Sequence, residues 1–171
     1  KTDEDGEIMI RSDSVFAGYL KDPEATAQVL TSDGWLRSGD IGHIDEDGFI
    51  SITDRKKDIL VTAGGKNVAP QNIENDLKTS KYVSQALVVG DRRPYVAALI
   101  TLDEVELAKW AAEQGLDGDL ASLSRDERVH ALVQSVVDDA NRDRSRFEQV
   151  KRFVILPRDF TMEHGEVTPT L

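Results

Sequence analysis

Residues 54–70 read D-R-K-K-D-I-L-V-T-A-G-G-K-N-V-A-P, and three features of this stretch organise the chain. A run of charged residues, 54–58, comes first. The pair Gly64-Gly65 follows between two short apolar runs, a pattern typical of a tight reversal of the chain. Pro70 suits the first turn of a helix, where its missing N–H removes no hydrogen bond. The stretch therefore predicts a boundary, a hairpin and a helix start, in that order.

The charge of the chain changes at residues 54–58. The 171 residues carry 32 acidic and 21 basic side chains, a net charge of −11. Residues 1–54 hold 13 acids and 4 bases, net −9, whereas residues 55–171 hold 19 acids and 17 bases, net −2. We interpret the charged run as a boundary between a first domain, 1–54, and a second domain, 55–171. The alternative is a solvated turn of mixed charge.

The first domain is predicted to form mostly strands and turns. Residues 6–11 alternate weakly between apolar and polar side chains. Asp22 before Pro23 is the signature of a helix N-terminus, and the short helix ends by Ser32. Two apolar runs flank the acidic residues 45–48, which end in glycine and predict a hairpin turn. A calcium loop is the weaker interpretation of these carboxylates, because they lack the alternating spacing of such loops.

The second domain is predicted to combine strands with helices. Residues 85–89 and 95–101 are apolar runs of strand length, rich in β-branched side chains, and we expect both to be central strands. Residues 150–156 predict a last strand. The fold class is therefore α+β, with a small mixed sheet and flanking helices.

Two capping boxes predict where helices of the second domain begin. Asp103 is followed three residues later by Glu106, and Ser124 by Glu127. Behind the second box, apolar residues recur at helical spacing and predict a face that packs into the core. They are Val129, Leu132, Val133, Val136, Val137 and Ala140.

Composition excludes several classes of function. The longest uninterrupted apolar run, 95–100, is far shorter than a membrane span, and the acidic residues 1–7 are not a signal peptide. The chain has no cysteine, so disulfides, thiolate zinc sites and thiol nucleophiles are excluded, and a cytoplasmic location is expected. The negative charge disfavours nucleic acid as a partner.

Histidines give no sign of a metal site. His43, His130 and His164 are far apart in sequence and share no ligand spacing. The sequence also lacks the G-x-x-x-x-G-K-[ST] phosphate loop, the G-x-S-x-G elbow and the H-E-x-x-H metal motif. Three groups remain as candidates: residues 54–58, residues 64–70, and the earlier stretch G-W-L-R-S-G-D.

These three groups, in this order and at this spacing, resemble the adenylate-forming acyl-CoA synthetases. Residues 6–20 are similar to the family's G-E-[IL] to G-Y segment, and 34–40 to its G-W-x-x-[ST]-G-D motif. The run D-R-K-K-D with G-G-K-N-V-x-P, the insert 103–146 and the ending 165–170 resemble the long-chain fatty acyl branch. The resemblance implies that 1–54 are β-barrel strands ending a large N-terminal domain and that 55–171 are a mobile C-terminal lid.

The resemblance also implies roles for individual residues. Asp40 matches an aspartate that accepts hydrogen bonds from the ribose hydroxyls of ATP, and Arg55 matches an arginine that contacts the nucleotide. Lys57 matches the hinge about which the lid turns. The loop of Gly64, Gly65 and Lys66 (residues 64–66) matches the one that approaches the pantetheine of coenzyme A. The alternatives are a turn-capping aspartate, a solvated arginine and a plain hairpin turn.

The implied reaction converts a fatty acid, ATP and coenzyme A to acyl-CoA, AMP and pyrophosphate through an acyl-adenylate, with magnesium as the usual cation. The partners are small molecules, and peripheral membrane contact is compatible with the sequence. The family's adenylation lysine follows the Thr-Pro-Thr-x pattern, and this sequence stops at Leu171, one position earlier. We therefore expect the 171 residues alone to be inactive, with no catalytic residue and no metal site among them. The alternative is a non-catalytic nucleotide- or partner-binding module of the same fold.

Overall fold

The computed structural model describes residues 1–167, which divide into two compact units. The first unit is Lys1–Ile59 and the second begins at Leu60. The charge-based boundary after Asp54 lies a few residues before this division. Residues 168–171, which contain the predicted Thr-Pro-Thr pattern and the end of the sequence, lie outside the described part of the chain.

The first unit is built on a three-stranded antiparallel sheet. Its strands are β1 (Glu7–Ile10), β2 (Leu36–Ile44) and β3 (Ile50–Arg55), in the order β1-β2-β3. A short helix, α1 (Pro23–Val29), lies between β1 and β2 in the chain. The prediction of strands, turns and one short helix is confirmed.

Aspartate side chains set the local structure of the first unit. Asp22 accepts a hydrogen bond from the Ala25 N–H at 2.9 Å and caps α1, as predicted. Asp45 Oδ1 accepts from the N–H groups of Asp47 at 3.0 Å and Phe49 at 2.8 Å. Because this carboxylate closes the turn between β2 and β3, the hairpin interpretation is confirmed.

The second unit contains a short hairpin and a mixed sheet. The hairpin strands are β4 (Leu60–Val61) and β5 (Asn67–Val68). The sheet has the order β6-β7-β8, from β6 (Val83–Val89), β7 (Val96–Leu102) and β8 (Val150–Ile155). β6 runs antiparallel to β7 and β8 runs parallel to it. The predicted α+β class with a small mixed sheet is confirmed.

The prediction of two central strands is right for β7 and wrong for β6, which is an edge strand of the described sheet. Strand pairing determines the edge position, and the apolar content of β6 gives no information on it; β6 is also less completely buried than a central strand suggests. Val83 and Val88 are buried in the core, whereas Leu87 and Val89 are 44% and 40% exposed. An apolar run therefore need not be covered on both faces.

Four helices of the described chain belong to the second unit: α2 (Pro70–Lys78), α3 (Glu104–Glu113), α4 (Leu120–Leu123) and α5 (Glu127–Asn141). α2 begins at the predicted proline. None of the helices in residues 1–167 is both long enough and apolar enough to cross a membrane.

The first predicted capping box is correct only in its N-cap, because the Asp103 N–H, which the box would pair with the Glu106 side chain, donates to the Tyr82 carbonyl at 3.0 Å. Asp103 caps α3 by accepting a hydrogen bond from the Glu106 N–H at 2.9 Å. The second box is wrong, because Ser124 ends α4 with a helical backbone, φ −60° and ψ −15°. An N-cap needs an extended backbone, which Asp126 has; its carboxylate accepts from the Arg128 N–H at 2.8 Å.

The core lies in the second unit. Val129, Val133 and Val137 are fully buried along α5, which confirms the predicted apolar face. Sixteen buried apolar side chains form one cluster among the described residues. They are Val68, Ile73, Leu77, Val83, Val88, Val96, Ala98, Ile100, Leu102, Leu107, Ala111, Leu123, Val129, Val133, Val137 and Val150.

Candidate functional site

Asp40 and Arg55 contact each other across neighbouring strands. They are direct partners in the β2–β3 register, and Arg55 Nε lies 2.9 Å from Asp40 Oδ1. The Asp40 side chain is 25% exposed and that of Arg55 is 54% exposed. The pair presents carboxylate acceptors and guanidinium donors at one accessible place, a combination suited to hydroxyl and phosphate groups.

The residues next to this pair are fixed by a third strand. Gly39 precedes Asp40 and has a φ of +76°, a conformation that L side chains rarely adopt. Its N–H donates to Glu7 Oε1 on β1 at 3.0 Å, and its carbonyl accepts from the Lys56 N–H at 2.8 Å. Ser38 Oγ accepts from the Asp40 N–H at 3.0 Å.

Glu7 and Lys56 form an ion pair that the sequence analysis does not predict. Lys56 Nζ lies 2.8 Å from Glu7 Oε2 and 2.6 Å from Asp5 Oδ2. Hydrogen bonds to Asp5 and Glu7 raise the pKa of the Lys56 amine, and the contact with Lys56 lowers the pKa of the Asp5 carboxyl. The available signal is a glutamate inside the apolar strand G-E-I-M-I, because a charge at such a position requires a partner.

Lys57 lies in an exposed turn directly after β3. The turn is closed by the N–H groups of Asp58 and Ile59, which donate to the Arg55 carbonyl at 3.0 and 3.2 Å. Lys57 therefore stands close in sequence to the division before Leu60. Its predicted role as a hinge remains a prediction.

The glycine loop forms the tight reversal that the sequence predicts. Thr62 Oγ1 accepts from the Lys66 N–H at 3.1 Å, and the Thr62 carbonyl accepts from the Gly65 N–H at 2.8 Å. A Cβ on Gly65 would meet no atom within 4 Å, and one on Gly64 would meet only Thr62 Oγ1 at 4.0 Å. The backbone of the two glycines is therefore open to a ligand.

The loop is tied to the connection between β6 and β7. The Ala63 N–H donates to the Arg93 carbonyl at 2.9 Å, and the Arg92 N–H donates to the Val61 carbonyl at 2.7 Å. Arg92, Arg93 and Lys66 are all exposed. The loop is thus hydrogen-bonded to a connection of the main sheet that carries two exposed arginines, and Lys66 follows the two glycines in the loop itself.

The segment after β8, residues 156–167, is held by ionic and polar contacts. Asp159 accepts hydrogen bonds from the hydroxyls of Ser84, at 2.6 Å, and Thr101. Arg158 pairs through both terminal nitrogens with Glu166, at 2.7 and 2.9 Å. This pairing lowers the pKa of the Glu166 carboxyl to about 2. Asp159 therefore ties this segment to β6 and β7, and the Arg158–Glu166 pair holds the segment together internally.

The predicted site residues fall into two groups. The Asp40–Arg55 pair and Lys57 belong to the first unit, whereas residues 64–66 belong to the second. The structure brings Asp40 and Arg55 together, and it shows residues 64–66 as one exposed loop. Contact with a nucleotide or with coenzyme A remains a prediction for all of these residues.

Comparison with known proteins places these motifs in a family. Residues 57–168 match the family model described as the AMP-binding enzyme C-terminal domain. The long-chain-fatty-acid–CoA ligase FadD15 of Mycobacterium tuberculosis is 44% identical over 170 residues, which are 98% of this chain and 28% of that protein. Long-chain-fatty-acid–CoA ligase 5 of Mus musculus is 39% identical over 98% of this chain and 25% of that protein.

A solved structure extends the likeness to three dimensions. The A domain of the carboxylic acid reductase from Segniliparus rugosus, in complex with AMP and a co-purified carboxylic acid, is 28% identical with a TM-score of 0.72. The match covers 94% of this chain and 24% of that one. The chain spans between about a quarter and a third of the length of the curated relatives it matches. The resemblance of the ordered motifs to the acyl-CoA synthetases is confirmed, and the chain belongs to the AMP-binding enzyme C-terminal domain family.

Proposed function

We propose that this chain is the C-terminal part of an AMP-forming long-chain fatty acid–CoA ligase. The intact enzyme converts a fatty acid, ATP and coenzyme A to acyl-CoA, AMP and pyrophosphate through an acyl-adenylate. The contact between Asp40 and Arg55 carries the proposal. Each residue matches a nucleotide contact of the family, and Arg55 Nε lies 2.9 Å from Asp40 Oδ1. The comparisons do not favour a non-catalytic module, since the curated relatives named above are ligases.

In this proposal Asp40 and Arg55 hold the nucleotide. The Asp40 carboxylate accepts hydrogen bonds from the ribose hydroxyls, and the Arg55 guanidinium, which uses Nε in the ion pair, directs its other N–H groups to the nucleotide. Neither side chain is a nucleophile. The pair contributes by positioning the reactants, and the incoming carboxylate attacks the α-phosphate elsewhere in the intact enzyme.

The glycine loop acts in the second half-reaction. The pantetheine of coenzyme A is thin, and a backbone without side chains at Gly64 and Gly65 lets it pass close to the chain. Lys66 is the basic residue at the end of this loop. Lys57 is the hinge about which the second unit turns between adenylate formation and thioester formation.

Magnesium is expected on the ATP phosphates, and the one group of three carboxylates among the described residues does not fit it. Asp3, Asp5 and Glu7 are the group in residues 1–167 whose carboxylates are close enough to share a cation. The Lys56 ammonium already contacts two of them, Asp5 and Glu7. We therefore assign no metal ligand among residues 1–167. The small-molecule substrates are its partners, and the cytoplasm is its proposed location.

The substitution Asp40→Ala in the full-length protein that contains this chain tests the proposal. We expect nucleotide binding to weaken by about 1–3 kcal/mol, because polar partners are left unpaired. The change should be seen as a raised KM for ATP. The KM for the fatty acid should change little. Asp47→Ala is the matched control, because Asp47 is an exposed aspartate in the β2–β3 turn. An unchanged KM for ATP in Asp40→Ala shows that Asp40 does not contact the nucleotide.

A further inference from the structure

We propose that Glu7 and Lys56 are positioning residues that brace the Asp40–Arg55 pair. The proposal rests on the proposed function, because it assigns to that pair the work of holding a nucleotide. Neither residue touches the nucleotide in this arrangement. They act by fixing the backbone on both sides of the pair.

A single carboxylate reaches both strands that carry the pair. Glu7 Oε1 accepts from the N–H of Gly39, the residue before Asp40, at 3.0 Å. Glu7 Oε2 accepts from Nζ of Lys56, the residue after Arg55, at 2.8 Å. Glu7 therefore links the backbone next to Asp40 to the side chain next to Arg55.

The backbone at this place needs such support. Gly39 has a φ of +76°, and the strand register is irregular between Ile41 and Gly42. A hydrogen bond from the Lys56 N–H to the Gly39 carbonyl also joins these two residues directly, so that Glu7, Gly39 and Lys56 each contact the other two. Rotation of the backbone at Gly39 would turn the Asp40 side chain away from Arg55.

Because Glu7 is buried, its contacts require a positively charged partner. The Glu7 side chain is 3% exposed, so its negative charge is costly without a cation and hydrogen-bond donors. Lys56 supplies the cation and is itself held by Asp5 at 2.6 Å. Replacing Lys56 leaves the Glu7 charge without its cation and loosens its hold on Gly39.

The test uses Glu7→Gln and Lys56→Gln in the full-length protein. We expect each to raise the KM for ATP by about tenfold while the KM for the fatty acid and for coenzyme A stays unchanged. Glu4→Gln is the matched control, since Glu4 is an exposed acid on the same segment and its change removes the same charge. If Glu7 and Lys56 contribute to stability alone, their substitution would lower the unfolding temperature without selectively raising the KM for ATP.

A double-mutant cycle tests whether the brace acts through Asp40. In an Asp40→Ala background, we expect Glu7→Gln to cause no further rise in the KM for ATP. Amide hydrogen exchange adds a readout without activity, because the Gly39 N–H should exchange faster in Glu7→Gln than in Glu4→Gln. Additive effects of Asp40→Ala and Glu7→Gln overturn the proposal.

The outcomes separate this inference from the proposed function. If Asp40→Ala raises the KM for ATP but Glu7→Gln and Lys56→Gln do not, the positioning role of Glu7 and Lys56 is wrong and the proposed nucleotide site is supported. If Asp40→Ala has no effect, the nucleotide site fails, and the brace fails with it. If Glu7→Gln does not fold, Lys56→Gln decides, because its side chain is 41% exposed and leaves no buried cavity.

Discussion

The two units of the molecule are stabilised in different ways. The second unit contains all sixteen side chains of the buried apolar cluster. In the first unit, Ile8 and Met9 are the buried apolar side chains among residues 1–59, and two acids, Glu7 and Asp54, are equally buried. Phe49, Ile50 and Ile52 are between 58% and 71% exposed.

This difference bears on the two candidate sites, one of which lies in each unit. The second unit has a core of its own, which gives its glycine loop a rigid support. The candidate nucleotide pair lies instead in a sheet held by hydrogen bonds and ion pairs. Hydrogen bonds and ion pairs restrict the orientation of side chains more narrowly than apolar packing does, and they are lost when one partner is removed. The first unit is therefore the part of this chain in which single polar substitutions should affect function most.

The largest expected effect compares one buried isoleucine with one exposed isoleucine. Ile100→Ala removes a fully buried side chain from β7 and should lower the free energy of unfolding by about 2–5 kcal/mol. Ile52→Ala, at a position 63% exposed, should change it by less than about 0.5 kcal/mol.

Tryptophan fluorescence can follow the two units separately in urea. Trp35 belongs to the first unit and Trp110 packs against the core of the second, so single-tryptophan variants report on each. If Ile52→Ala destabilises the chain as much as Ile100→Ala, the contrast between the two units is wrong.

The next effect concerns the connection between the units. Proline fixes φ near −65° and removes an N–H, so Lys57→Pro should restrict the turn after β3. In the full-length protein we expect pyrophosphate release to persist and acyl-CoA production to fall by about a hundredfold, or roughly 2.7 kcal/mol. Lys57→Ala, which leaves the backbone free, should stay close to the unmodified protein. If alanine is as damaging as proline, Lys57 acts through its charge and is not a hinge.

The smallest effect compares two glycines, one in each unit. A Cβ on Gly42 would lie 2.3 Å from the Ser51 carbonyl oxygen, so Gly42→Ala should force β2 and β3 apart at a cost of about 1–3 kcal/mol. Gly64→Ala has no such clash and should leave the urea midpoint unchanged. In the full-length protein, Gly64→Ala should instead raise the KM for coenzyme A. A stability loss of equal size in both variants would contradict this contrast.

Local chemistry made much of the fold predictable from the sequence. The caps at Asp22 and Asp103, the proline at the start of α2 and both glycine-containing reversals depend on neighbouring residues alone. The prediction of a cap at Ser124 failed because Ser124 is the C-cap of the short helix α4 and has a helical backbone. The preference of serine and aspartate for caps does not show which of two nearby polar residues is extended.

The candidate site was predictable only in part. The Asp40 and Arg55 candidates follow from ordered motifs, but their contact depends on strand register, which no motif states. The Glu7–Lys56 pair joins residues 49 positions apart in sequence, and local patterns carry no information at that range. The edge position of β6 likewise depends on which strand pairs with β7, and apolar content does not determine that.

The parallel pairing of β7 and β8 has a consequence for how the chain acquires its structure. Val96 pairs with Val150, and three helices stand between them in sequence. The β6–β7 hairpin can form from neighbouring residues, whereas β8 must close a long loop, which slows folding. On a ribosome, the hairpin and the helices emerge before β8, so the β7 edge stays unpaired until β8 itself has emerged. Pairing of β8 with β7 therefore completes this sheet only after the β6–β7 hairpin and the three helices have been synthesised.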